Sequence, residues 1–367
     1  MLRSALGAGG SVVLLAACGP GASVPPAATT PPTPATTPTP VPTVAATQAP
    51  TPTAAPPTRA PATKPPGERV PIAVSLSQTS GSFLPNWVAL DAGLFDKHGL
   101  AVTQTVAEST STMASLLSGQ ITFAQSGGPE LVNAVAGGAD LVMLACLVPV
   151  YPYRLEAAAS VKTPDDLRGA KVGITNFGST IDVATRLCLT RLGLDAATDV
   201  TLVPLGSPSA RTAALLSGQI AAGLSQPPDW LVLEAQGFHS LFDMAAARIP
   251  TAVVSTIAQR SFVNGNREVV QRYVDALVEA LAKEKNDREF TIGVIRKLLN
   301  YDEPQGLAAT YEYFSKEVHP ELPYPEVVQL EEAVKSAQNA RVRELKLDGL
   351  IDRSFVQSAA DRGLHKA

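Results

Sequence analysis

Two segments ninety-nine residues apart read almost alike, and this repeat limits the folds open to the chain more than any other feature. Met113–Ser126 (MASLLSGQITFAQS) lies over Thr212–Ser225 (TAALLSGQIAAGLS), with LLSGQI identical in both. Upstream, Val74 and Val172 begin matching strand ends at an offset of 98. Each leads into a small-residue turn, Ser80-Gly81-Ser82 in one copy and Gly178-Ser179-Thr180 in the other. Downstream, Pro129-Glu130 lies over Pro228-Asp229, each at an expected helix start. Both halves therefore read strand, turn, helix, strand, helix, strand, helix. Two such α/β units in one chain predict a bilobal protein with a cleft between the copies, because open parallel sheets bind ligands beyond the carboxyl ends of their strands.

The periodicity between these anchors fills in the elements. Short β-branched runs predict strands at 70–76, 100–106, 121–125 and 140–148, then at 170–175, 199–205 and 220–225. From about Ile249 the chain is expected to cross back and pack helices on the first lobe, over 266–298, 304–318, 325–340 and about 353–363. The boundaries so drawn are 70–155 plus 250–367 for lobe one and 156–249 for lobe two.

Ahead of the repeat the composition changes character. Residues 1–18, MLRSALGAGGSVVLLAAC, carry one positive charge, a weakly apolar stretch and small residues before Cys18, the order of a secretory signal. Ala16-Ala17-Cys18 resembles a bacterial lipobox, which implies cleavage before Cys18 and lipidation of that residue; the alternative is an ordinary signal with a chance cysteine. Residues 19–69 are Pro, Thr and Ala with almost nothing to bury, and hold about half of the 31 prolines. Such a segment forms no core and serves as an extended, semi-rigid tether.

Charge and side-chain chemistry exclude several classes. A net charge of −4 without a basic run argues against nucleic acid as a partner. Cys146 and Cys188 lie in apolar surroundings without a CxxC pair, which predicts two buried free thiols. His98, His239, His319 and His365 are isolated in sequence, so no metal site is expected. The absence of GxSxG and P-loop motifs leaves catalysis without a candidate, and no cofactor is expected.

Four stretches carry a family resemblance: FLPNWVALDAGLFDKHGLAV at 83–102, the two LLSGQI segments, VKTPDDLRGAKVGITNFGST at 161–180, and REVVQRYVDALVEAL at 267–281. They resemble binding proteins of the nitrate/sulfonate/taurine and thiamine-pyrimidine type, the solute-capturing subunits of ABC importers. The resemblance implies an α/β, type II periplasmic-binding-protein fold without catalysis, closing by a hinge near 149–158 and 247–256. It also implies a monomer on the extracytoplasmic side of the membrane whose partners are a small molecule and the ABC permease and ATPase subunits. A sulfonate, taurine-like molecule or carboxylate is the expected cargo. A thiamine-precursor pyrimidine, or a receptor-docking sensor role, is the alternative.

Helix N-termini with hydroxyls and free N–H groups suit a small anion, since the helix dipole favours negative charge there. Lobe one offers Ser80, Gly81 and Ser82, then Ser109, Thr110 and Ser111, then Ser126 and Gly127. Lobe two offers Phe177, Gly178, Ser179 and Thr180, then Ser209 and Arg211, then Gln226. Each hydroxyl can equally be a plain N-cap. Arg211 is the strong cation of these turns, suited to fork onto an acidic ligand, to lie in solvent, or to pair with Asp229 or Glu108. Tyr151, Tyr153 and Trp230 are further aromatic candidates.

Overall fold

The computed structural model describes residues 69–337 and 339–366. The expected signal peptide, Cys18 and the tether as far as residue 68 lie outside the described residues. Four strands come first: β1 Val70–Leu76, β2 Leu100–Val106, β3 Phe123–Ser126 and β4 Leu141–Val150. Five follow, β5 Arg154–Ala157, β6 Lys171–Ile174, β7 Thr201–Pro204, β8 Ala222–Ser225 and β9 His239–Asp243, and then β10 Pro250–Gln259. They form two five-stranded sheets, β2-β1-β3-β10-β4 and β7-β6-β8-β5-β9. In each, three parallel strands adjoin one antiparallel strand that lies inside a fifth: β10 between β3 and β4, and β5 between β8 and β9.

The sequence repeat is a structural repeat. Helices α1 Leu84–Asp91, α2 Ser109–Leu117 and α3 Gly128–Ala136 belong to the first unit, and α4 Thr180–Arg191, α5 Pro208–Leu216 and α6 Asp229–Ala235 to the second. The bounds of α2 and α5, like those of β3 and β8, differ by the same 99 residues. The shared LLSGQI explains itself physically. Leu116 and Leu215 are buried against their sheets, while Gly119 and Gly218 take φ of +74° and +72° just past the helix ends. That left-handed position closes the last helical turn and is strained for any residue with a Cβ.

The chain crosses between the sheets twice, at 151–153 and at 244–249. The second crossing precedes most of the expected 247–256 segment, whose apolar run PTAVVSTIAQ is instead β10, buried at eight of its ten positions. β4 and β10 are covered on both faces, which is why they read as continuous apolar runs without alternation. β5 and β9 escape sequence reading because RLEA and HSLFD are short and lack β-branched residues. The expected helix 266–298 is two, α7 Arg267–Asn286 and α8 Arg288–Leu299, broken where Asp287 leaves helical geometry and caps α8 through Phe290 N. The expected 304–318 helix widens to a π-turn over Glu312–Val318, and the last two shorten to Val328–Lys335 and Ser354–Asp361.

The long α7 seals the first sheet. Its Tyr273 ring lies between Phe95 and Phe123, with centroids 5.2 and 4.2 Å away, and its hydroxyl accepts hydrogen bonds from Asn86 and Gln125. Cys146 and Cys188 are buried and free, and burial pushes both thiols up to about 12. No described helix is long and apolar enough to cross a membrane.

Glu156 on β5 is inaccessible to solvent, and neither carboxyl oxygen has a hydrogen-bond partner. Burial first, then the nearby Glu234 and Asp243 charges, raise its pKa to about 7, against the opposing pull of Arg154. The fold therefore suits the neutral acid, and stability is lost as pH climbs from the unfolded value near 4.5 to about 7. Glu156→Gln is expected to raise the melting temperature at pH 8 and to leave it nearly unchanged at pH 4.5. Equal shifts at both pH values would contradict this protonation account.

Candidate functional site

Between the two sheets' carboxyl ends lies a cleft of about 640 Å³. One wall is Gln78, Thr79 and Ser80 after β1, with Glu108 ahead of α2. The opposite wall is Gly206, Ser207, Ser209 and Arg211 at the start of α5, with Gln226 and Asp229. Tyr153 in the first crossing forms the back, and Asn300 and Tyr301, after α8, complete the rim.

Arg211 is the one cation among the residues lining this cleft, which also carries Glu108 and Asp229. It is 4% exposed, and no carboxylate among the described residues lies within ion-pair distance of it. Its Nε donates to Leu224 O at 2.6 Å and its Nη1 approaches Thr175 Oγ1 at 3.4 Å. The aliphatic stem lies over Gly173 on β6 and Gly223 on β8, where any Cβ would stand 3.1 Å from it. In the first copy the residue ninety-nine positions earlier is Thr112, which bonds Ser75 Oγ at 2.9 Å. The second copy has thus exchanged a buried hydroxyl pair for a cation and cleared two side chains from the sheet beneath it. Burial disfavours the guanidinium charge, while Tyr153 and Asp229 favour it. Asp229 itself is held by Thr212 Oγ1 at 3.2 Å, and burial raises its pKa.

Beside this cleft the two walls touch. Glu130 at the start of α3 accepts from Thr180 N at 3.1 Å and from Thr180 Oγ1 at 2.9 Å, at the first turn of α4. Gln226 Nε2 donates to Ser82 Oγ at 2.9 Å, Asn133 approaches Gly178 O and Asn176 approaches Glu108, both at 3.4 Å. Trp230 packs edge-on against Tyr313, with 4.9 Å between centroids. Desolvation raises the Glu130 pKa against the lowering effect of the Thr180 hydrogen bonds.

Most of the candidate residues from the sequence distribute over three places. Ser80, Ser209, Arg211 and Gln226 line the large cleft. Ser82, Gly127 and Thr180 lie in the seam where the walls meet, and Ser109 and Ser179 border it through a small crevice. Thr110, Phe177 and Gly178 face a separate outer groove of about 580 Å³, where Phe177 is 60% exposed. Gly81 is packed under the Phe314 ring, which a Cβ would strike, and Ser126 is buried with no partner for its hydroxyl. Ser111 is exposed and lines none of these spaces. Arg211 takes neither Asp229 nor Glu108 as an ion-pair partner. Trp230 stacks under Arg154, and Tyr151 is fully buried. Sequence reasoning missed Gln78, Asn300 and Tyr301 as lining residues and Glu130 as a contact across the seam. The signal for Glu130 was present, since it occupies the same repeat position as Asp229.

The two sheets, their order and the cleft at their carboxyl ends are those of the two-lobed periplasmic-binding-protein fold. The aliphatic sulphonate binding protein SsuA of Escherichia coli superposes with a TM-score of 0.61 at 20% identity, covering 77% of this chain and 99% of that one. The alkanesulfonate-binding SsuA of Xanthomonas axonopodis pv. citri, bound to MOPS, gives 0.62 at 18% identity, covering 80% and 98%. The nitrate-binding NrtA of Synechocystis PCC 6803 gives 0.64 at 14%, covering 80% and 89%. No curated protein sequence matches the chain. The chain belongs to the NMT1/THI5-like family, whose model matches residues 80–287.

Gly127 sets how closely the walls approach. A Cβ there would stand 1.9 Å from Thr180 Oγ1 and 2.6 Å from Glu130 Oε2, although its backbone geometry is open to any residue. Gly127→Ala is therefore expected to wedge the cleft open while the protein still folds cooperatively. Inter-lobe distance measured by fluorescence transfer should increase; an unchanged distance would show that Thr180 yields without cost.

Proposed function

We propose that the protein is an extracytoplasmic solute-binding lipoprotein that captures a small organic anion for an ABC importer. The observation that carries this is Arg211: a buried guanidinium without a carboxylate partner, lining a cleft large enough for a small molecule. Burying such a charge is costly unless it is paired and hydrogen-bonded. A sulfonate or carboxylate arriving in the cleft supplies the missing counter-charge and accepts a forked pair of hydrogen bonds. Ser80, Ser209 and Gln226 stand ready to bond the rest of the solute, and the membership in this family fits the same role.

In this reading the lobes comprise 70–155 plus 250–367 and 156–249, and the crossings at 151–153 and 244–249 act as the hinge. A solute touching both walls favours the closed form by its differential affinity. Cys18 carries the lipid anchor, residues 19–69 are the tether, and the protein delivers its cargo as a monomer to a permease without chemical change. Tyr153 and Tyr301 favour a second reading, in which their rings hold a flat pyrimidine.

A thermal-shift screen followed by calorimetry separates the two readings. Alkanesulfonates, taurine or carboxylates are expected to stabilise the protein, by about 2.7 kcal/mol at a hundredfold excess over Kd. Arg211→Ala should weaken binding by about 2–5 kcal/mol, the scale for removing one partner of a buried charge pair. Arg211→Lys should recover part of that loss as a point charge without the fork. Stabilisation by a pyrimidine alone, unaffected by Arg211→Ala, would replace the anion reading with the second one.

A further inference from the structure

The first turn of α4 is where sequence reasoning places a ligand anion, yet a protein carboxylate already fills it. Both Glu130 oxygens accept from Thr180, one from its N–H and one from its hydroxyl, across fifty residues of sequence and from the opposite wall of the cleft. Two neighbouring donors are also taken. Gly178 N donates to Asp182 Oδ2 at 2.8 Å, and Asp182 N donates to the N-cap Ser179 Oγ at 3.3 Å. Asp182 is in turn fixed by Arg186 Nε at 2.7 Å. The space between the walls here is only about 20 Å³, against about 640 Å³ beside Arg211. Between the walls a solute anion has room at Arg211 and none at Thr180, while the outer groove at Phe177 and Gly178 is a separate space.

We propose that Glu130 is an internal stand-in for a ligand anion, which latches the two lobes in the absence of solute and confines the solute's acidic group to Arg211. The latch is one-sided. Asp229, its counterpart in the repeat, bonds Thr212 within its own lobe and does not reach across. Gly127 completes the device, because its missing side chain is what lets Thr180 come down onto Glu130. A negative group at this helix start gains from the dipole and from the two donors, so the contact favours closure without a solute. The ligand-free protein then rests nearer the closed form than a protein whose lobes meet only around cargo, and solute adds the Arg211 contact to a cleft already drawn together. Glu130 is a specificity determinant in this scheme: it removes one of two anion positions and leaves a singly acidic solute a unique orientation.

The proposal rests on the two-lobed closing mechanism above, and its test uses ligand-free protein, so its failure and that of the Arg211 assignment are separable. Fluorescence transfer between labels on the two lobes reports closure, and formate is the probe for the vacated position, with formamide as the neutral control. Glu130→Ala is expected to open the ligand-free lobes, and formate but not formamide should close them again and raise the melting temperature. Wild-type protein should show only the formate response that Arg211 gives, which Arg211→Ala removes, so the response at the vacated position is the excess of Glu130→Ala over wild type. Glu130→Asp, which withdraws the carboxylate by one methylene while keeping its charge, should open the lobes partway and show no formate response beyond that of wild type. Should the alanine variant fail to fold, the aspartate variant carries the decision through its transfer efficiency alone. Wild-type transfer efficiency in the folded variants, or equal responses to formate in wild type and Glu130→Ala, would overturn the latch.

Discussion

A guanidinium placed inside a protein without a carboxylate beside it demands an explanation in energy, and the second lobe is arranged around that demand. Arg211 has the carbonyl of Leu224 and the hydroxyl of Thr175 as partners, which satisfy some of its donors but none of its charge. Two strands carry glycine beneath its stem, and Asp229 lies near enough to favour the charge without forming an ion pair. An apolar side chain in place of Arg211 would be the cheaper solution if packing were the purpose. The first lobe shows the alternative, since the same repeat position holds Thr112 in a closed hydroxyl pair with Ser75. One copy was kept compact and the other opened for a charge.

The architecture makes that asymmetry useful. Each sheet is completed by a strand delivered across the boundary, β5 directly after β4 and β10 directly after β9, so the lobes are tied by two short crossings and face each other at the ends of their parallel strands. The helix starts therefore converge on one cleft. There Arg211 supplies attraction, the Ser82–Gln226 and Glu130–Thr180 contacts supply closure, and Gly127 supplies clearance. The proposed solute-binding role rests on this convergence, and the proposed choice of an anion rests on the buried Arg211 guanidinium.

Much of this was legible in the sequence because it repeats. An identical LLSGQI at two positions fixes a helix, its left-handed glycine stop and the next strand in both lobes, whatever surrounds them. What was not legible depended on context. RLEA and HSLFD carry no strand pattern of their own and are recruited by neighbouring edges. Asp287 interrupts an amphipathic pattern that otherwise runs unbroken, because a carboxylate that caps one helix reads in sequence like any exposed acid. In the site, Arg211 stood out as a lone cation among small residues. Glu130 shares its repeat position with Asp229, but its partner Thr180 lies in the other lobe and only the approach of the two walls reveals the pair. Ser111 and Thr110 show the converse: they share a helix start with buried Ser109 but point away from the cleft.

The most direct test is a crystal structure of the protein with a solute selected by thermal shift. The account requires an acidic oxygen of that solute within about 3 Å of the Arg211 guanidinium, the distance of a charge-assisted hydrogen bond, with the rest of the molecule between Ser80 and Gln226. A solute seated elsewhere, with Arg211 turned to pair with Asp229, would contradict it.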